Sequence, residues 1–272
     1  MKAYDFSYDG KKLSSFGMIL CSFDGSEGFD NISDGSQITF NTVSTLGGTK
    51  HKLGSTQYDE CLSATFQICK HSCSDGVQEI TATEHREITS WLNRKKFLKF
   101  KILDEDHIDL YYEGSFNINK IEMDGRLIGF ELNLITNRPF ALKDLRTIII
   151  KNTELNGKYS LNDTSYEEGH IYPYTEITIG NIDDLPNEEK YLKIYNAMED
   201  RETYITGVSS GEVITMDYPI ITSSLHSHNI QNDFNWCFFR VANTYENSRN
   251  DLTISIPCTI KVKYSPIVKV GL

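Results

Sequence analysis

The stretch SFNINKIEMDGRLIGFELNLITNRPF, Ser115–Phe140, contains two strands, the turn that joins them and the end of a domain. Ser115–Glu122 reads as the first strand. Asp124-Gly125 supplies two residues that tolerate left-handed backbone, the signature of a tight hairpin turn. The returning arm, from Leu127 to Thr136, is among the best strands in the chain, with Phe130, Leu132 and Leu134 at every second position. Asn137-Arg-Pro-Phe140 then breaks the pattern. Pro139 has no amide proton to give a ladder and pushes Arg138 toward extended geometry. The boundary between two domains is placed there, giving halves of 1–139 and 140–272.

On the N-terminal side, strands are expected at Tyr4–Tyr8, Phe16–Phe23, Gln37–Val43, Leu62–Ile68, Phe97–Leu103 and Ile108–Glu113, with Gly47-Gly48 opening a loop. One helix is predicted, from about Thr81 to Lys95. Thr81 and Glu84 have the spacing of a capping box, in which each side chain satisfies an amide left open at the helix start. Ile88, Trp91 and Leu92 then form one apolar face. Arg94, Lys95 and Lys96 are expected at its C-terminal end, where cations suit the helix dipole.

On the C-terminal side there is no good helix. Strands are predicted at Arg146–Lys151, Pro173–Gly180, Tyr191–Asn196, Thr203–Val208, Glu212–Met216, Asn235–Asn243 and Leu252–Tyr264, with Pro257 marking an edge or a bulge in the last. Seven or so short strands separated by turn residues describe a β-sandwich. The fold class is therefore mainly β: an N-terminal sandwich or barrel-like domain with one helix, then a C-terminal sandwich.

The 272 residues suffice for about two domains. The formal net charge of -11 divides evenly, with 15 Lys/Arg against 20 Asp/Glu up to Pro139 and 12 against 18 beyond it. No basic stripe offsets this balance, which argues against binding nucleic acid through its phosphates. Met1–Ser7 lacks the apolar core of a signal peptide, and no run approaches the roughly 18 apolar residues of a membrane span. The six cysteines, Cys21, Cys61, Cys69, Cys73, Cys237 and Cys258, are then expected to stay reduced.

Chemical motifs are few. Gly207-Val-Ser-Ser-Gly211 matches G-x-S-x-G, but a nucleophile at Ser209 needs a helix to follow, and Glu212–Met216 reads as a strand. A turn is the better reading, and no catalytic residue is assigned. Cys69, His71 and Cys73 would share a strand face, yet no second such pair exists to complete a zinc site. His226 and His228 would likewise share a face, with Asp233 the nearest carboxylate. Neither a metal nor a cofactor is predicted. Trp236, among Phe234, Phe238 and Phe239, reads as sandwich core or as a platform for stacking a sugar.

The order of these segments resembles the distal tail proteins (Dit) of siphophages and related particles. The resemblance rests on the opening Phe6–Leu20, the helix followed by Phe97–Asp104, the strand Phe130–Leu134 and the junction Arg138–Ala141. It continues through Tyr172–Ile179, Gly211–Asp217, Phe238–Asn243 and Thr259–Pro266. It implies a non-enzymatic virion protein whose first domain closes into a ring, a hexamer, at the tail tip. Such a baseplate hub joins the tail tube protein to a tail-tip, tail-associated lysin or fibre protein of the host-adsorption apparatus, and in some relatives carries receptor-binding attachments. It further implies a galectin-like C-terminal sandwich on the ring's outer side. The alternative is a carbohydrate-binding module that recognises a host cell-wall glycan through that sandwich, with Trp236 as its contact. Neither reading involves a membrane.

Overall fold

The computed structural model describes residues 5–21, 37–45, 48, 50–70, 78–105 and 107–270. The chain forms two compact units, one of Met1–Lys143 with Val268–Leu272, the other of Asp144–Ile267.

In the first unit the strands are β1 (Phe6–Tyr8), β2 (Lys11–Lys12), β3 (Met18–Cys21), β4 (Ile38–Ser44), β5 (His51–Tyr58), β6 (Ser63–Lys70), β7 (Leu98–Ile102), β8 (Leu110–Met123), β9 (Arg126–Thr136) and β10 (Ala141–Lys143). The main sheet runs β2-β1-β7-β8-β9-β6-β3, and β10 also pairs with β8. The hairpin of Ser115–Phe140 lies at its centre. Phe130, Leu132 and Leu134 are fully buried, as their alternation requires. The two strands expected at Ile108–Glu113 and Ser115–Glu122 are a single one, unbroken at Gly114. A Cβ on Gly114 would stand 2.6 Å from Leu134 Cδ1 and 3.0 Å from the Ile135 carbonyl, so glycine allows the close approach of β9.

Helix α1 spans Ala82–Leu92. The Thr81–Glu84 capping box is present, with the Thr81 amide donating to Glu84 Oε2 at 2.8 Å and the Glu84 amide to Thr81 Oγ1 at 3.3 Å. Lys70 Nζ lies 2.9 Å from Glu84 Oε1, and this ammonium is the main cause of a Glu84 pKa below the ordinary value. The helix stops three residues short of the predicted end, so Arg94–Lys96 lie beyond it and its last turn has no cation. Its apolar face is as expected. Trp91 stacks on Phe16 at 4.4 Å, donates from Nε1 to the Tyr8 carbonyl at 2.9 Å, and closes a core with Phe6, Phe66, Phe100 and Phe116.

A strand was also missed here. His51–Tyr58, expected as loop, is a strand that pairs with β4 as a separate two-stranded sheet.

The second unit contains β11 (Arg146–Asn152), β12 (Gly157–Asn162), β13 (Gly169–Ile171), β14 (Tyr174–Ile179), β15 (Tyr191–Asn196), β16 (Arg201–Thr206), β17 (Val213–Asp217), β18 (Ile220–Ser223), α2 (Ile230–Asp233), β19 (Val241–Asn243), β20 (Arg249–Ile254) and β21 (Cys258–Tyr264). A final short strand, β22 (Ile267–Val268), ends the list, and Val268 is buried in the first unit's core. Sheets β11-β21-β14-β17-β18 and β12-β20-β15-β16 enclose one core between them, a sandwich.

Two expectations are corrected. Leu252–Tyr264 is not one strand, nor is Pro257 an edge or bulge. The chain leaves one sheet after Ile254 and enters the other at Cys258, as strand β21, paired on both sides by β11 and β14. Ser255 secures the corner, its Oγ donating to the Tyr191 carbonyl and accepting from the Lys193 amide. Asn235–Asn243 is strand only from Val241, preceded by α2 and irregular chain.

Candidate functional site

Three places combine chemistry or exposure with defined geometry. The first is the G-x-S-x-G turn. Gly207 and Gly211 both take left-handed backbone, and strand β17 follows. The Ser209 amide donates to Glu212 Oε2 at 3.0 Å and the Glu212 amide returns to the Ser209 carbonyl at 3.1 Å. The motif is a closed turn, without the helix that a nucleophile elbow needs.

Glu212 itself is fully buried, with the hydrogen-bond partners that buried polar groups require. Ser223 Oγ donates to its Oε1 at 2.5 Å, and His228 Nδ1 lies 2.5 Å from the same oxygen. His228 Nε2 faces Asp233 Oδ2 at 3.4 Å. Only Nδ1 thus meets a carboxylate in a hydrogen bond; Nε2 is buried and has no hydrogen-bond partner among the described residues. This cluster ties the turn, the β18 end and α2 together. The shared strand face predicted for His226 and His228 is absent: residues 224–229 form turns, with His226 exposed and only His228 turned inward. Asp233 was the carboxylate named from sequence; Glu212, 16 residues from His228, gave no local signal.

The second place follows directly along the chain. Asn235 is clamped to β16: its amide donates to the Tyr204 carbonyl at 3.0 Å, its Oδ1 accepts from the Tyr204 and Cys237 amides, and its Nδ2 donates to the Glu202 carbonyl. The next residue, Trp236, is left-handed at φ 58° and 56% exposed. Phe234, Phe238 and Phe239 are buried in the sandwich, so the core reading holds for them and not for Trp236. Tyr218, also 56% exposed, meets Phe238 edge-on at 5.3 Å and stacks on Tyr172 at 4.3 Å. Arg240 makes two contacts with Glu199, at 2.6 and 2.9 Å, while Arg201 donates twice to the Phe238 carbonyl.

The third place is the hairpin β4–β5. Ile38, Phe40, Val43 and Leu53 are 40–66% exposed on it. Register puts Phe40 opposite Thr56 and Thr42 opposite Leu53, so Ile38, Phe40 and Leu53 share one face. The backbone closes at its base through the Asp59 amide and Gln37 carbonyl.

Of the three residues considered as metal ligands and set aside, Cys69 lies half-buried on β6; His71 and Cys73 fall outside the described residues. Burial first, and then the Cys69 thiol, pushes the Cys21 thiol up to about 12. Among the described residues no group of three His, Cys, Asp or Glu has metal-site geometry, and no helix is long and apolar enough to cross a membrane.

Two family models account for nearly all of the chain: a phage tail protein N-terminal domain over residues 1–138 and a phage tail C-terminal domain over residues 140–264. The chain belongs to the phage tail protein family. Among solved structures, this tail protein is similar to the Dit protein (gp 19.1) of phage SPP1, with a TM-score of 0.62 at 10% identity, over 97% of this chain and 99% of that one. That protein is described as a paradigm of the hub adsorption apparatus in phages that infect Gram-positive bacteria. At this identity the likeness is one of fold, and the tail protein has the Dit fold. No curated protein sequence matches it. The family assigns a structural role in a virion tail, alongside other tail proteins.

Proposed function

We propose that this tail protein is the distal hub of a siphophage or phage-tail-like particle, in which copies close into a hexameric ring that joins the tail tube to the tip and adsorption apparatus. The first unit makes the ring, and the second is a galectin-like sandwich. The protein works by binding, without catalysis.

The observation that carries the reading is the β4–β5 hairpin. A two-stranded ribbon by itself is marginally stable in water; it needs a third strand or an apolar cover. Here the ribbon has neither among the described residues, and it holds large apolar side chains out to solvent. A neighbouring copy would supply the cover. Contact between an arm of one copy and a different surface of the next is heterologous, and such contacts generate closed rings when the rotation closes. The even acidic charge fits a virion surface and opposes direct binding to the genome.

Native mass spectrometry over a range of concentrations, with negative-stain imaging of purified tails, tests this. A closed hexamer, seen alone or in the tail, is expected. A chain that stays monomeric at all concentrations and is missing from intact tails would overturn the reading.

A further inference from the structure

We propose that the second unit binds a saccharide on an exposed aromatic shelf formed by Trp236 and Tyr218. This goes beyond the hub reading and stands or falls independently of it.

The shelf is built, not incidental. Left-handed backbone is uncommon for a residue other than glycine, and such strain collects where a side chain must be held in a set position. Trp236 adopts it because Asn235 is fixed by four hydrogen bonds just before it. The result exposes one of the largest apolar side chains in the protein, beside a core of three phenylalanines that leaves it outside. Tyr218 is held from below by its stack on Tyr172. Trp236 and Tyr218 both contact Phe238, at 6.4 and 5.3 Å, so they lie within the span of one short oligosaccharide. Nothing among the described residues hydrogen-bonds the Trp236 indole N–H or the Tyr218 hydroxyl, and both remain available to a ligand.

Area decides what kind of ligand fits. Fully counted, Trp and Tyr side chains present roughly 150–250 Å² each, and with just over half open the shelf offers roughly 170–280 Å². A patch of this size matches the face of a small ligand by itself, whereas a protein partner, which covers about 800 Å² on each side, would have to draw on much of the surrounding surface as well. Nucleobases also stack on aromatic rings, but their phosphates would meet a unit with net negative charge. Quaternary ammonium groups are taken by rings that surround them, and no third exposed ring closes over these two among the described residues. A pyranose fits best: its C–H face packs on an open ring while its hydroxyls meet polar groups at the edge. The exposed Asn235 side chain, whose Nδ2 gives only one of its two hydrogens to the Glu202 carbonyl, supplies such a group beside Trp236, together with the indole N–H and the Tyr218 hydroxyl.

The test uses the full chain on an array of pyranose oligosaccharides that includes neutral, amino and acidic sugars and bacterial wall polysaccharide fragments. Hits are titrated by calorimetry. Saturable binding to at least one saccharide is expected, weakened about tenfold or more by Trp236→Ala and by Tyr218→Ala, a loss of about 1.4 kcal/mol or more. Trp236→Phe should keep part of the affinity, and Tyr245→Ala, at a residue 71% exposed in the same unit, should keep all of it. Thermal melts should show Trp236→Ala as stable as the parent, so lost binding is not lost folding. If Tyr218→Ala melts early, the Ala and Phe variants of Trp236 decide. No binding anywhere on the array, or binding that ignores Trp236→Ala, would overturn the proposal.

Discussion

The first unit contains two hairpins that follow the same alternation and meet opposite surroundings. In β8–β9 the inward residues Tyr112, Phe116, Phe130, Leu132 and Leu134 are 0–2% exposed. In β4–β5 the residues at equivalent alternate positions, Ile38 and Phe40, are 40 and 63% exposed. The difference is in the neighbours. β9 has β6 on its other side, and α1 is anchored to it, with the Ile80 amide donating to the Leu127 carbonyl at 2.7 Å and His85 stacked on Phe130 at 5.6 Å. β4–β5 forms a sheet alone. Alternation fixes which side chains share a face. What covers that face is decided by the rest of the chain or, for β4–β5, by another molecule.

The comparison predicts unequal costs for similar substitutions. Phe130→Ala removes a fully buried ring from beneath the helix. It should cost about 3–5 kcal/mol, a large part of a domain's whole stability, and urea denaturation followed by circular dichroism would show it. A cost under about 1 kcal/mol would mean that β8–β9 is not the centre of the core. Gly114→Val tests the same hairpin from its partner strand. The added Cβ would collide with Leu134 and the Ile135 carbonyl, and overpacking of this kind costs about 1–3 kcal/mol.

These elements show what can be read from residues alone. The capping box, the apolar face of α1 and the alternation of β9 are local patterns, and each formed as expected. β5 was missed because His51–Tyr58 has few apolar residues; its strand character comes from pairing with β4, which no period reveals. Ser255–Pro257 carries the chain between sheets, yet apolar residues recur through it as if one strand continued. At the candidate sites the pattern is the same. The G-x-S-x-G turn was legible from the strand that follows it. The Glu212–His228 contact joins residues whose proximity depends on the folded β17 and β18. Trp236 sits in an aromatic run that reads as core, and only the clamp at Asn235 turns it outward.

A smaller effect should come from the helix start that helps to cover β9. Thr81→Ala removes the cap and should cost about 1 kcal/mol, measured as a drop in thermal midpoint. The pH dependence has a definite sign. Lys70 and the Thr81 groups hold the Glu84 pKa below its unfolded value. Their stabilisation is therefore present above the ordinary carboxylate range and is lost as pH falls through the lowered folded value. Stability measured from neutral to acid pH should lose part of its decline in Glu84→Gln. An unchanged profile would show that other carboxylates carry it.

The smallest effect on folding is expected in the other hairpin, where it tells the most. Phe40→Ser with Leu53→Ser alters two side chains that are 63 and 59% exposed and touch little of their own chain. Surface substitutions of this kind stay within about 0.5 kcal/mol, so the isolated chain should melt as before, or dissolve better for having less apolar surface. Assembly should behave in the opposite way. If a neighbouring copy covers that face, each contact around the ring loses two apolar side chains, and the loss repeats at every interface. Native mass spectrometry should then show monomer where the parent forms rings. A double variant that melts early would mean the hairpin folds back on its own unit, and one that assembles normally would move the ring contact to another surface. Phe130→Ala destabilising and Phe40→Ser with Leu53→Ser disassembling would together separate the hairpin that builds the subunit from the one that joins subunits.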